Sequence, residues 1–384
     1  MRAGIALATF ALCSLMAVAV VPRAYAYAAE VPEPQVSEAQ CYFVSDGAGH
    51  TILERNADQQ MEPASITKVM TAMVVLDSGA SLDAPATITR GDYQDDAQIA
   101  ELKPADGVTV RQLFQLMLIY SANDAADNLA INVFGSIDAC VDRMNQKARE
   151  LGMTGTRFAN VHGLSQDGHY SCARDLVTMG RYALEHYPLI AQTVHMRSVD
   201  VTLGGEQRTF RSTDDLMETY AGLRGIKTGV VESGKAFLGA STHGTVSVYS
   251  CVLGCSTNDG RFADTEALMS WAYEHYFSWR RMSEAARTVR WVTSTLSFHG
   301  KLAITGSYDV YGRFSPDEPI SYTVHMPPEG TLQDAGGIYG VTVWTQDGVA
   351  PCAQVFRASK RLYQVSMFEP LVMSLLYPAP VEAA

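Results

Sequence analysis

Between Cys41 and Arg55 the text CYFVSDGAGHTILER holds two short apolar runs around Asp-Gly-Ala-Gly, the pattern of two strands joined by a turn. The period then changes. Ile66, Val69, Met70, Met73 and Val74 recur at helical spacing up to Gly79, with Pro63 suited to the helix entry. A second stripe, Leu113, Leu116, Met117 and Tyr120, follows Thr109 and Gln112, which together read as a capping box. Ser121 stands where that stripe ends. Helical text continues to Leu151 and resumes from Ser171 to His186, and GIKTGVV, KAFLGAS and TVSVYSCVLG then read as three strands in succession. Strand, many helices, then strands describe an α+β domain whose antiparallel sheet takes its first strand from the N-terminus.

Past Trp279 the pattern becomes short alternating runs such as LAITGSYDVYG, PISYTVHM and IYGVTVW, separated by Gly, Pro and Asp turns. That is all-β text, and it predicts a small second domain of sandwich type. The first segment, MRAGIALATFALCSLMAVAVVPRAYA, runs from Arg2 through an apolar stretch to Ala24-Tyr25-Ala26 and reads as a secretory signal peptide; an uncleaved anchor is the alternative. The closing FEPLVMSLLYPAP is broken by prolines and falls short of the ~20 residues that span a bilayer. Contact with a membrane surface is the most it offers. The expected organisation is a signal peptide over 1–26, a main domain over 35–280, a β-rich domain over 285–365 and a tail over 366–384.

With 47% hydrophobic and 18% charged residues in 384, the chain is globular and has a large core available. Loss of the first 26 residues removes Arg2 and Arg23 and no acids, moving the formal charge from −12 to −14. No basic surface for nucleic acid follows from that. Six cysteines remain after such processing, which in an exported chain favours disulfides. The pair Cys251 and Cys255 lacks a Cys/His cluster of zinc spacing, so no metal or cofactor is expected.

The chemistry begins at EPASITKVM. Three-residue spacing at a helix start puts Ser65 and Lys68 on one face, about a turn apart, close enough for an amine to take a hydroxyl proton. Alone, the pair also fits an ordinary buried helix. Two later stretches change the picture: SAND at Ser121–Asp124 and KTG at Lys227–Gly229. S-x-x-K, S-x-N and K-T-G, in this order and at a helix start, a helix end and a strand, form the motif set of penicillin-binding proteins and class A β-lactamases. With EPASITKVMTAMV, IYSANDAADNLA, MNQKARELGMTGTRFANVHGL, YSCARDL and GIKTGV, the chain resembles the low-molecular-mass penicillin-binding proteins that are D-alanyl-D-alanine carboxypeptidases, the S11 serine peptidases, over about residues 38–280.

The resemblance implies a β-lactamase/transpeptidase-like α+β domain and a set of roles. Ser65 is the nucleophile toward the penultimate D-alanine, and Lys68 its base, which requires a depressed pKa. Ser121 and Asn123 serve as proton relay and hydrogen-bonding partner. Lys227 and Thr228 meet the substrate carboxylate, and Gly229 completes their motif. The N–H groups of Ser65 and Val230 hold the oxyanion, and Arg261 binds the terminal carboxylate. Peptidoglycan stem peptides are the implied substrate, β-lactams the inhibitors, and the cell envelope or wall outside the cytoplasm the location. VVESGK after the third motif departs from the family, with Lys235 near a usual glycine, and leaves the cleft rim and substrate preference open. A D,D-endopeptidase, a transpeptidase and a serine β-lactamase share the motifs, although no E-x-x-L-N text lies between Asn123 and Lys227 to supply a deacylating glutamate. In the implied fold the first strand lies antiparallel to the last, which suggests a disulfide from Cys41 to Cys251 or Cys255.

Overall fold

The computed structural model describes residues 33–90, 93, 97–281, 304–306, 311–315, 318–325, 332–333, 338–358 and 362–363. The signal peptide and tail expectations lie outside them. A compact unit starts at Pro34. It opens with strands β1 (Cys41–Asp46) and β2 (Thr51–Arg55), followed by helices α1 (Thr67–Asp77), α2 (Val110–Gln115), α3 (Asn123–Phe134), α4 (Ile137–Glu150), α5 (Ala173–His186) and α6 (Pro188–Val194). The hairpin β3 (Ser198–Leu203) and β4 (Glu206–Arg211), the short helix α7 (Leu216–Thr219), strands β5 (Leu223–Val231), β6 (Gly234–His243) and β7 (Val246–Cys255), and helix α8 (Asn258–Trp271) come next.

The main sheet runs β2-β1-β7-β6-β5, all antiparallel, so the first strand lies between its hairpin partner and the last strand. Alternation along the strands feeds two cores. Phe43, Leu238, Cys251 and Leu253 face α1, α3 and α5, while Tyr42, Val44, Phe237 and Val252 face Leu268 and Met269 of α8. Helix α1 is buried from Thr67 to Val75, which makes it the central helix and not a surface one. The capping box at Thr109 and Gln112 is present, and α2 passes into a π-helical turn over Leu116–Tyr120 that stops at Ser121. Past the main domain, strand Val349–Ala358 joins β7 at Val349 and Val246 and pairs with Ile338–Gln346, which pairs with Ser321–His325.

The expected disulfide is not formed: Cys41, Cys251 and Cys255 are free, buried thiols. Register explains this. Cys41 stands opposite Leu253 and Cys251 opposite Phe43, so Cys41 and Cys251 are diagonal neighbours, roughly 7–8 Å apart in a sheet and too far to bridge. Gly254, at φ +74°, interrupts the alternation, and Cys255 enters the core on the other face.

Candidate active site

The chain reaches Ser65 through Pro63 and Ala64, and Ala64 has φ +51°, a left-handed conformation that costs a non-glycine residue about 1 kcal/mol or more. Neighbours hold it there. Gly163 packs so tightly on the Ala64 carbonyl that any Cβ would overlap it, and a Cβ on Gly229 would lie 2.8 Å from Ala64 Cβ and 3.2 Å from the Pro63 oxygen. The Ser65 turn is thus clamped between the 159–163 segment and the K-T-G strand β5. Glycine at 229 is a matter of close approach.

Lys68, wholly buried, points its Nζ at three oxygens: Ser65 Oγ at 2.8 Å, Asn123 Oδ1 at 2.7 Å and the His162 carbonyl at 2.6 Å. Burial first, then the positive charge of Lys227, drives its pKa well below the ordinary 10.5; Asp127 and Asp124 oppose the shift. A neutral amine has two N–H bonds and one lone pair. The Asn123 and His162 oxygens accept only, so they take both N–H bonds, and the lone pair is left for the Ser65 hydroxyl to donate into.

Ser121 ends the π-turn with φ +67° and is buried, so the chain bends there and starts α3 at Asn123. The Asn123 N–H donates to the Gln98 carbonyl at 2.8 Å, fixing the amide that holds Lys68. On β5, Lys227 is 2% exposed and donates to the Thr228 carbonyl at 3.1 Å. Burial and then the Arg261 guanidinium lower its pKa to about 7, with Asp214 opposing. Thr228 Oγ1 shares a short hydrogen bond with Thr213 Oγ1. Val230 is half exposed and opposite Lys235 in β6, so both stand at the cleft rim. Arg261 is in the first turn of α8, buried, with Nη1 donating to the Gly229 carbonyl at 3.0 Å and Nε unpartnered.

Sequence reasoning missed His162, Gly163, Thr213 and Asp214. NVHGL belongs to the text that carried the resemblance, yet a backbone carbonyl leaves no side-chain signature. Thr213 and Asp214 sit in a short loop with no motif, and folding alone brings them to β5.

An antiparallel sheet flanked by helices, with a serine turn, a buried lysine, S-x-N and K-T-G converging, defines the penicillin-binding DD-peptidase class. Residues 27–257 match the family model described as D-alanyl-D-alanine carboxypeptidase, peptidase S11, which is more than half the chain; the chain belongs to that family. It is 31% identical over 266 residues to D-alanyl-D-alanine carboxypeptidase DacC of Escherichia coli (strain K12), covering 66% of this chain and 66% of that protein. The share covered is 61% for DacF of Bacillus subtilis (strain 168), so the chain spans just under two thirds of the length of these relatives. It is 32% identical over 249 residues to a D-alanyl-D-alanine endopeptidase of Pseudomonas aeruginosa, 62% of this chain and 78% of the relative. Among solved structures, penicillin-binding protein D2 from Listeria monocytogenes in its cefotaxime-bound form matches with TM-score 0.58 and 31% identity over 63% of this chain and 99% of that one. The Streptomyces K15 DD-transpeptidase matches with TM-score 0.60 and 29% identity over 64% and 100%.

Proposed function

We propose that the chain is a serine-type D-Ala-D-Ala carboxypeptidase that removes the terminal D-alanine from peptidoglycan stem peptides through a Ser65 acyl-enzyme. The observation that carries this reading is the Lys68 amine, buried, 2.8 Å from Ser65 Oγ, with both N–H bonds of its neutral form committed elsewhere. Lys68 takes the Ser65 proton as Oγ attacks the carbonyl of the penultimate D-alanine. The oxyanion meets the N–H groups of Ser65 and Val230. The peptide C–N bond breaks, the departing amine takes a proton by way of Lys68 and Ser121, and water then hydrolyses the ester to restore Ser65. Asn123 holds Lys68, while Lys227, Thr228 and Arg261 receive the terminal carboxylate, with Gly229 letting their strand approach the serine.

β-Lactams are substrates for the first half of this cycle, a reading supported by the cefotaxime and ampicillin complexes of the Listeria relative. Action on the wall outside the cytoplasm fits the family and the signal-like N-terminus; no helix among the described residues is long and apolar enough to cross a membrane. Residues 35–280 form the catalytic domain in this reading, and 285–365 a β-rich one whose strand Val349–Ala358 joins the main sheet at β7. The test is release of free D-alanine from a diacylated L-Lys-D-Ala-D-Ala peptide, expected for the wild-type chain and absent in Ser65→Ala. The endopeptidase relative favours a second reading, in which cross-linked dimers are cleaved while this pentapeptide mimic releases no D-alanine.

A further inference from the structure

Asp214 takes no part in the chemistry above, yet its place in the fold is unusual. It follows Thr213, whose hydroxyl clasps Thr228 of the K-T-G strand, and it is 8% exposed. Both of its carboxylate oxygens are buried without a hydrogen bond of normal geometry, although its own N–H is bonded to Ser212 Oγ at 3.2 Å. Arg261 Nε, on α8, is likewise buried without a partner. Lys227 and Arg261 both lie within the electrostatic reach of Asp214, and no described ion pair closes between them. Two buried cations within electrostatic reach of each other repel, and a buried carboxylate that closes no ion pair is costly. Each problem offsets the other.

We propose that Asp214 is a positioning residue for substrate-carboxylate recognition, a buried counter-ion that keeps Lys227 charged against the neighbouring Arg261 guanidinium. This rests on the carboxypeptidase reading for its purpose but not for its electrostatics. The groups facing the cluster are few. Lys227 on β5 is opposed by Arg261, supported by Asp214 and faces Lys68, whose own shift it deepens; Arg261 on α8 feels Asp214, Asp215 and Cys255; Asp214 feels the nearby N–H groups of Met217 and Leu216, then Arg261 and Lys227. Burial pushes Asp214 up to about 7, and burial and then Arg261 bring Lys227 down to about 7, with each of the two favouring the charged form of the other. Without the carboxylate, Lys227 loses its proton at lower pH, and with it one of the two charges that distinguish a free chain end from an internal peptide. Asparagine in place of Asp214 preserves shape and removes only the charge.

Two measurements separate this inference from the reading on which it rests. In full-length protein labelled at lysine, the Lys227 amine is followed by NMR against pH and assigned by its loss in Lys227→Arg. The expected midpoint is about one pH unit lower in Asp214→Asn than in wild type. In parallel, kcat/KM is compared for an acyl-D-alanyl thioglycolate, whose leaving group carries a carboxylate, and the matching ethyl thioester, which lacks it. The ratio of the two should fall with pH in one step, and that step should move down with the NMR midpoint in Asp214→Asn. Asp214→Glu should stay near wild type, and Asp214→Ser gives the same test if the asparagine variant does not fold. A Lys227 midpoint unmoved or raised in Asp214→Asn and Asp214→Ser overturns the counter-ion role, whatever the turnover. A midpoint that moves in a protein that turns over neither thioester contradicts the carboxypeptidase reading and leaves the counter-ion role standing.

Discussion

Lys68 and Lys227 are the same side chain, both buried, and the proposed mechanism gives them opposite work. Lys68 has oxygens around it from the Ser65 turn, α3 and the 159–163 segment, and burial and the charge of Lys227 drive its proton off well below the ordinary range. Lys227 has a backbone carbonyl, Arg261 and a carboxylate around it, and it is left poised near 7. Burial is common to both. Carboxylates oppose the shift at both, Asp127 and Asp124 at Lys68 and Asp214 at Lys227, so what separates them is the group at Nζ: the Ser65 hydroxyl at 2.8 Å for Lys68 and the Thr228 carbonyl at 3.1 Å for Lys227. In that reading a buried lysine serves as a base or an anion receptor according to the group placed at its Nζ.

Swapping amine for guanidinium breaks the comparison most severely. Lys68→Arg cannot present a lone pair at working pH, so penicillin acylation at pH 7 should drop by roughly 10²- to 10⁴-fold, the worth of a positioned base; near-normal labelling would remove Lys68 from the role. On the receptor side, Arg261→Ala deletes a charged hydrogen bond worth about 1.5–3 kcal/mol. Its kcat/KM should fall roughly 10- to 150-fold for a D-Ala-D-Ala peptide and far less for an acyl-D-alanyl ester lacking the carboxylate. Equal losses on both substrates would place Arg261 in support of β5 alone, through its bond to the Gly229 carbonyl.

Gly229→Ala probes the contact between the two regions. The added Cβ meets Ala64 at 2.8 Å, so a melting curve should report about 1–3 kcal/mol of destabilisation, with kcat lowered as the Ser65 turn is displaced. A comparable effect is expected on acid stability. His169 Nδ1 accepts from the Ala159 N–H at 3.0 Å, so the neutral ring carries its proton on Nε2, 2.9 Å from Thr67 Oγ1. Burial first lowers its pKa from 6.5 to about 4. Below 6.5 the unfolded chain binds a proton that the folded one refuses, so stability is full above that pH and is lost as pH falls toward 4, by about 3 kcal/mol at about 1.4 kcal/mol per pKa unit. His169→Gln should flatten the melting temperature over that window, and an unchanged acid slope would contradict the neutral buried ring.

Local signals carried most of the fold. Ile66 to Val74, the Thr109–Gln112 box and the three strands after Gly225 each announced themselves by period or cap, and the sheet has the first-strand placement expected. The hairpin Ser198–Arg211 was missed although Gly204-Gly205 between alternating runs is a strong turn signal; both glycines have positive φ, at 60° and 87°. The site divides in the same way. Ser65, Lys68, Ser121, Asn123 and Lys227 sit in compact motifs, whereas the His162 carbonyl and the Asp214 carboxylate act from loops whose approach is set by tertiary packing. The disulfide expectation failed on a detail finer than topology, the two-residue offset of Cys41 from Cys251 and the turn of the chain at Gly254.

The activation of Ser65 by a neutral Lys68 is tested most directly by the pH dependence of the rate at which a β-lactam acylates Ser65, with the adduct located by mass spectrometry. Burial of Lys68 and the positive charge of Lys227 lead to an acid limb well below the ordinary lysine value of 10.5 that marks protonation of Nζ, with the rate level above it. A rate that keeps climbing about tenfold per pH unit up to about pH 10 would show an ordinary lysine, and Lys68 would not be the base.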